Sequence, residues 1–148
     1  MRRARPDEAR AVGALVEAAF AQHVEAVGRR PAPMDDDHAA HIAAGEQWVS
    51  DDPDGVAGLA SAIVLTAHDD HLHVDNVAVA PALHGRGLGR ALLAFADDEA
   101  RRRGLGEVRL YTNAAMSDNL IFYPKLGFVE AARYEQHGFS RVLFVKRV

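Results

Sequence analysis

The period of the apolar positions changes several times along the chain, and each change predicts an element. Val12, Leu15, Val16, Ala19, Phe20 and Val24 recur at helical spacing, which predicts one amphipathic helix from about Asp7 to Val27. Gly28-Arg29-Arg30-Pro31-Ala32-Pro33 breaks it. A short helix is expected next, with Asp35, Asp36 and Asp37 in or just before its first turn, where the helix dipole favours negative charge, and Gly45 at its end. Gln47-Trp48-Val49 reads as a strand and Asp52-Pro53-Asp54-Gly55 as a tight turn. Val56 to Thr66 is small and apolar throughout, the pattern of a strand buried on both faces. After a turn at Ala67-His68-Asp69-Asp70 comes a strand from His71 to Ala80, in which alternation puts His71, His73, Asp75, Val77 and Val79 on one face.

A helix is predicted from Gly87, with Leu88, Leu92 and Phe95 on one side and Arg101-Arg102-Arg103-Gly104 closing it. Val108 to Thr112 predicts a strand, Met116 to about Tyr123 a helix, and Val129–Glu135 with Phe139–Lys146 a hairpin around Gln136-His137-Gly138. The order β-α-α-β-β-β-α-β-α-β-β is that of an α/β protein, a single mixed sheet flanked by helices.

Composition narrows the function. The 148 residues fit one domain, read as 1–148, and 49% apolar residues are enough for a core. A formal charge of −4 argues against a nucleic-acid binder, whose affinity comes mostly from neutralised phosphates. The absence of cysteine excludes disulfides, thiolate metal sites and a cysteine nucleophile. No apolar run approaches the ~20 residues of a membrane span. Met1-Arg2-Arg3-Ala4-Arg5 is followed by Pro6-Asp7-Glu8 rather than by the apolar stretch of an export leader. The expectation is a cytoplasmic protein without membrane or nucleic-acid partners.

The chemistry concentrates in His84-Gly85-Arg86-Gly87-Leu88-Gly89-Arg90, between a strand and an amphipathic helix. Glycines there permit positive φ and close approach to the backbone, while the helix start offers unpaired N–H groups and Arg86 and Arg90 add cations. This is the design of an anion site for a diphosphate. A dinucleotide fingerprint fails because position 90 is arginine, and a P-loop fails for lack of its Gly-Lys-Ser/Thr.

The turn resembles the Q/R-x-x-G-x-G/A segment of the GCN5-related N-acetyltransferases (GNAT). Asn119-Leu120-Ile121-Phe122-Tyr123-Pro124-Lys125-Leu126-Gly127-Phe128 resembles that family's second motif. The resemblance runs in outline from the first helix to the final hairpin. It implies an acyl-CoA N-acyltransferase fold with a mostly antiparallel sheet, and acetyl-coenzyme A as cosubstrate. It also implies roles for individual residues. Val77, Ala78 and Val79 would pair their backbone with the pantetheine arm. His84, Gly85, Arg86, Gly87, Leu88, Gly89 and Arg90 would hold the pyrophosphate. Asn119 would contact the cofactor arm and Tyr123 would face its sulfur as general acid, and the strands flanking the glycine helix would splay to admit the cofactor. His84 departs from the family's Gln or Arg. Pro124 predicts a helix ending at Tyr123, because proline restricts the residue before it.

Asp75, between Val74 and Val77 on the strand before the turn, is the candidate general base, its pKa expected to rise in apolar surroundings. His73 is the rival. His71 with His73, and His38 with His41, have spacings that could serve a metal, but neither pair brings a third ligand, so no metal is assigned. The acidic clusters are read as turn and cap residues before substrate recruiters. Trp48 is read as core, and the arginine run as a helix terminus. The resulting reading is an enzyme transferring acetyl from acetyl-coenzyme A to a small-molecule or peptide amine by direct attack. Two alternatives stand beside it: a non-catalytic coenzyme A sensor and a histidine metal-binding regulator. The acceptor is not legible, nor is oligomeric state, a homodimer being allowed.

Overall fold

The structure, a computed structural model, describes residues 1–52 and 58–148. The turn expected at Asp52-Pro53-Asp54-Gly55 lies mostly outside the described residues, as does the expected strand start at Val56. The Asp52 N–H does close onto the Gly58 carbonyl at 2.8 Å.

The elements are β1 (Arg2–Arg3), α1 (Ala9–Phe20), α2 (Val24–Val27), α3 (His38–Ala43), β2 (Gln47–Asp51), β3 (Leu59–Ala67), β4 (Leu72–Val79), α4 (Leu88–Arg102), β5 (Glu107–Asn113), α5 (Ser117–Lys125), β6 (Val129–Gln136) and β7 (Phe139–Arg147). Seven strands form one sheet in the order β1-β2-β3-β4-β5-β7-β6. Every pairing is antiparallel except β4 with β5.

Each face of the sheet carries its own core. Val12, Val16 and Phe20 of α1 cover Val49, Ala60, Ala62 and Ala78. Leu92, Leu93 and Ala96 of α4 join Tyr123 and Phe128 over Ile63, Leu65, Leu110 and Phe144 on the other face. The strand β3, buried from Leu59 to Leu65, serves both, which explains its uninterrupted apolar run.

The expected first helix is divided. A 3₁₀ turn at Ala21–His23 separates α1 from α2, and nothing in α2 is fully buried. Past Phe20 the chain turns beside the cavity at Gln22 and His23, and the stripe keeps only partial packing, with Val27 partly buried against the α1-side core. Gly28 then stops the chain in the left-handed region (φ 86°). The short acidic-led helix is α3, with the Asp37 carboxylate accepting from the Ala40 N–H at 3.0 Å. The arginine run at the end of α4 is tied down by acids of the same helix, Arg101 to Asp98 and both Arg102 and Arg103 to Glu99.

Two expectations are corrected. The strand β4 carries a bulge: β3 residues Val64 and Leu65 face Asn76 and Val74, leaving Asp75 without a cross-strand partner. The extra residue reverses the alternation. Leu72 and Val74 therefore join the α4-side core against which Val77 and Val79 also pack. His73 and Asp75 do not share a face with Val77 and Val79. The second correction is at Pro124, which lies inside α5, so the helix runs on to Lys125 instead of ending at Tyr123. Proline's missing donor falls in the final turn, and the Tyr123 carbonyl is capped by the N–H groups of Leu126 (3.0 Å) and Phe128 (3.2 Å).

Candidate active site

The sheet opens at its middle. β4 and β5 pair only through Leu72–Val74 and Val108–Leu110, although the strands run on to Val79 and Asn113. The parting forms a cavity of about 360 Å³. Its walls come from both sides of the sheet: Val77, Val79 and Tyr123 at the split, Phe20 and Asp36 from the α1 side, and His84 and Asn119 towards the glycine turn.

The open edge of β4 has directed donors and acceptors. The Ala80 N–H donates to the Ala60 carbonyl at 2.9 Å, so in an antiparallel ladder Ala78 bonds to Ala62 in the same sense. Val77 and Val79 therefore turn their peptide groups away from β3, into the split. Ala78, expected with them, is buried towards α1 and does not line the cavity. His84 Nε2 donates to the Val79 carbonyl at 3.2 Å, so this departure from the family pattern occupies one acceptor of the edge itself.

The glycine turn is built as expected. Gly85 and Gly87 both take φ 79°, and a Cβ at either would meet nothing within 4 Å, so open space lies before the backbone. Gly87 caps α4 without a side-chain bond, and the first bond of the helix runs from the Ala91 N–H to the Gly87 carbonyl. Among the described residues, the amides of Gly85, Arg86, Gly87, Leu88, Gly89 and Arg90 have no partner. Arg86 and Arg90 are exposed and form no ion pair among those residues. A diphosphate fits this convergence of donors and cations. At Gly89 a Cβ would make an ordinary contact, 3.6 Å, with the Phe122 ring, so neither backbone strain nor crowding within the chain requires glycine there.

Tyr123 is 7% exposed, wedged among Phe122, Phe128 and Phe144, and burial pushes its phenol up to about 12. It stays protonated across the working pH range. Asn119 Nδ2 donates to the Thr112 hydroxyl at 3.0 Å, which fixes the side chain on the wall.

Asp75 reaches the cavity from the bulge, but its surroundings are polar rather than apolar. The Thr66 hydroxyl donates to it, and His73 Nε2 lies 3.5 Å from its other oxygen. His73 itself is not on the wall. It lies behind Asp75 against the Tyr111 ring, and burial holds its pKa below the ordinary imidazole value. Of the two candidate bases, only Asp75 meets the cavity.

Sequence reasoning missed three wall residues. Asp36 belongs to the acidic cluster read as cap and turn. Asp37 does cap and Asp35 pairs with Arg30, but Asp36 turns inward, where burial raises its pKa against the pull of His41 and His38. Tyr111 stands between strands, its phenol pushed up by burial and by the Asp75 and Asp36 carboxylates against the pull of Arg141. Arg141 is the third, and its signal was available: in Phe139-Ser140-Arg141-Val142-Leu143 a charge stands at the parity of apolar neighbours. Among the described residues no group of three or more His, Asp or Glu side chains is arranged to hold a metal ion, and His71 stacks on His68 at 4.6 Å.

A split parallel pair beside a glycine-led helix defines a class of acyl-transfer folds, and comparison with known proteins agrees. Residues 43–130 match the family model described as the acetyltransferase (GNAT) domain. The chain belongs to the GNAT acetyltransferase family. It is 33% identical over 133 residues to a mycothiol acetyltransferase of Beutenbergia cavernae, a match covering 84% of this chain and 42% of that protein. It is 34% identical over 73 residues to the streptothricin acetyltransferase of Streptomyces lavendulae, covering 49% of this chain and 38% of the relative. The chain thus spans less than half the length of these relatives. The PaiA N-acetyltransferase of Thermoplasma acidophilum, solved in complex with coenzyme A, shares the fold with a TM-score of 0.82 at 14% identity, over 99% of this chain and 97% of that one.

Proposed function

We propose that this protein transfers an acetyl group from acetyl-coenzyme A to the amine of a small molecule or peptide. The observation that carries the reading is the parting of β4 from β5 after Val74 and Leu110, which opens the Val77 and Val79 peptide groups beside Tyr123 and Asp75. When bound, acetyl-coenzyme A supplies the thioester carbon that the amine attacks. The chain's own part is to hold, align and move protons. The free amides from Gly85 to Arg90, with Arg86 and Arg90, grip the pyrophosphate, and the Val77 and Val79 edge aligns the arm as a strand would.

Asp75 takes the proton of the incoming ammonium, directly or through one water, with Thr66 and His73 fixing the carboxylate. Tyr123 holds a proton for the departing sulfur. A phenol near pKa 12 donates poorly to water, but it stabilises a thiolate whose conjugate acid lies near ~8.5. Attack is direct: the chain has no cysteine, and Ser140, whose hydroxyl donates to Glu135, is exposed and does not line the cavity. A cysteine-free chain using this cosubstrate fits a cytoplasmic setting. The test is release of coenzyme A from acetyl-coenzyme A across an amine panel, beside calorimetric binding of coenzyme A. Tight binding without turnover on any amine would favour a sensor.

A further inference from the structure

Among the described residues, three buried carboxylates have cationic partners. Glu8 is held by Arg2 at 2.8 Å, Asp97 by Lys146 at 2.5 Å, and Glu99 by Arg102 and Arg103 at 2.8 and 3.1 Å. Arg141 is 6% exposed, yet among the described residues no carboxylate, carbonyl or hydroxyl accepts from its guanidinium, and its Nε is sealed without a partner. It is clamped by rings alone, 4.7 Å from the Tyr111 centroid and 4.8 Å from that of Phe139. A largely buried cation without an acceptor is costly, and rings recover only part of that loss. Arg141 lines the cavity. Its position in β7, opposite Asn113 of β5 and Tyr134 of β6, places it with Tyr111 and away from the glycine turn that fits the diphosphate.

Asp36 and Asp75 also line this cavity, and both, like Arg141, lie near enough to Tyr111 for their charge to act on its phenol. We propose that the acceptor is an amine that also bears a carboxylate, an amino acid or short peptide, with the carboxylate on Arg141 and the ammonium between Asp36 and Asp75. This rests on the acetyl-transfer reading. A forked guanidinium suits a planar carboxylate, which it can meet with two parallel bonds. The cavity, about 360 Å³ and shared with the cofactor arm, leaves room for a small acceptor or the end of a chain.

The experiment uses the whole chain with acetyl-coenzyme A and a set of free amino acids and dipeptides, each paired with its methyl ester. The acid should exceed its ester at least about tenfold in kcat/KM, through KM. In Arg141→Gln that gap should fall below about twofold with coenzyme A affinity unchanged, and Arg141→Lys should restore part of it. Arg141→Met should melt no lower than the parent, since it removes an unpaired buried charge, whereas a purely structural arginine would lower the melting temperature. Equal rates for acids and esters, a gap that persists in Arg141→Gln, or turnover confined to amines without a carboxylate would overturn the inference. Failure to bind coenzyme A at all would instead overturn the acetyl-transfer reading.

Discussion

Replacing Gly87 with alanine separates the two reasons for a glycine there, backbone conformation and access. Gly87 lies at φ 79°, and an added Cβ would meet nothing within 4 Å of the chain itself. The folded protein therefore suffers only the left-handed strain, about 1–2 kcal/mol, or a few degrees of melting temperature in a domain of this size. The ligand suffers more. The methyl would stand in the space before the Gly87, Leu88 and Gly89 amides, and losing two charge-assisted bonds at about 1.5–3 kcal/mol each weakens coenzyme A by roughly 10²–10⁴-fold. Gly104 is the matched control: φ 71°, open space around its Cβ, and the far end of the 15-residue α4. Gly104→Ala should lower the melting temperature as much and leave affinity unchanged. Calorimetry and thermal melts on both variants decide it. Wild-type affinity in Gly87→Ala, or equal loss in the control, refutes the assignment of the turn to the diphosphate.

Tyr123→Phe should lower kcat at least about 10²-fold while coenzyme A affinity stays within twofold, and a normal kcat would reduce the residue to packing. Asp75→Asn should remove the acidic limb of the pH–rate profile, and His73→Gln should keep that limb, since His73 stands behind the carboxylate rather than on the wall; the profiles of the two variants distinguish them. Glu8, held by Arg2, has its pKa lowered to about 2 from 4.5, so the unfolded chain binds the proton more readily. The stabilisation is complete above pH ~4.5 and is lost as pH falls towards ~2, at most about 2–3 kcal/mol given the partly exposed arginine. Urea melts should show a loss of stability over this range that is smaller in Glu8→Gln than in the parent, the remainder coming from other carboxylates held low by arginine or histidine partners, such as Glu99 and Asp70.

The glycine turn, the hairpin at His137-Gly138 and the α/β order were legible because each depends on local residues, whereas the parting of the flanking strands was expected only through the resemblance to the GNAT family. Glycine and a helix start fix the turn, and alternation fixes the strands. The bulge at Asp75 was not legible, since nothing local distinguishes the residue that lacks a cross-strand partner. That one residue reversed the face assigned to Val77 and Val79. Pro124 misled for a related reason. Local restriction predicted a helix end, but a proline in the last turn sacrifices a single donor, and the carbonyls of Tyr123 and Pro124 beyond it are capped by the N–H groups of Leu126, Gly127 and Phe128. Asp36 was hidden by its neighbours: three successive aspartates look alike in sequence, and only the fold assigns one to Arg30, one to a cap and one to the cavity.

The short contact between β4 and β5 also has a mechanical meaning. Three residue pairs at one end hold the two halves of the sheet together, as a spine holds two leaves of a book, and beyond them α4 and α5 are the binding. The centre of this sheet is therefore less protected than that of a continuous sheet, where the middle strands are best protected. The Val77 and Val79 amides should exchange with solvent early in the free protein although they belong to a central strand. A ligand laid along that edge would act as an eighth strand, and the gain in rigidity would appear in the amides of both leaves.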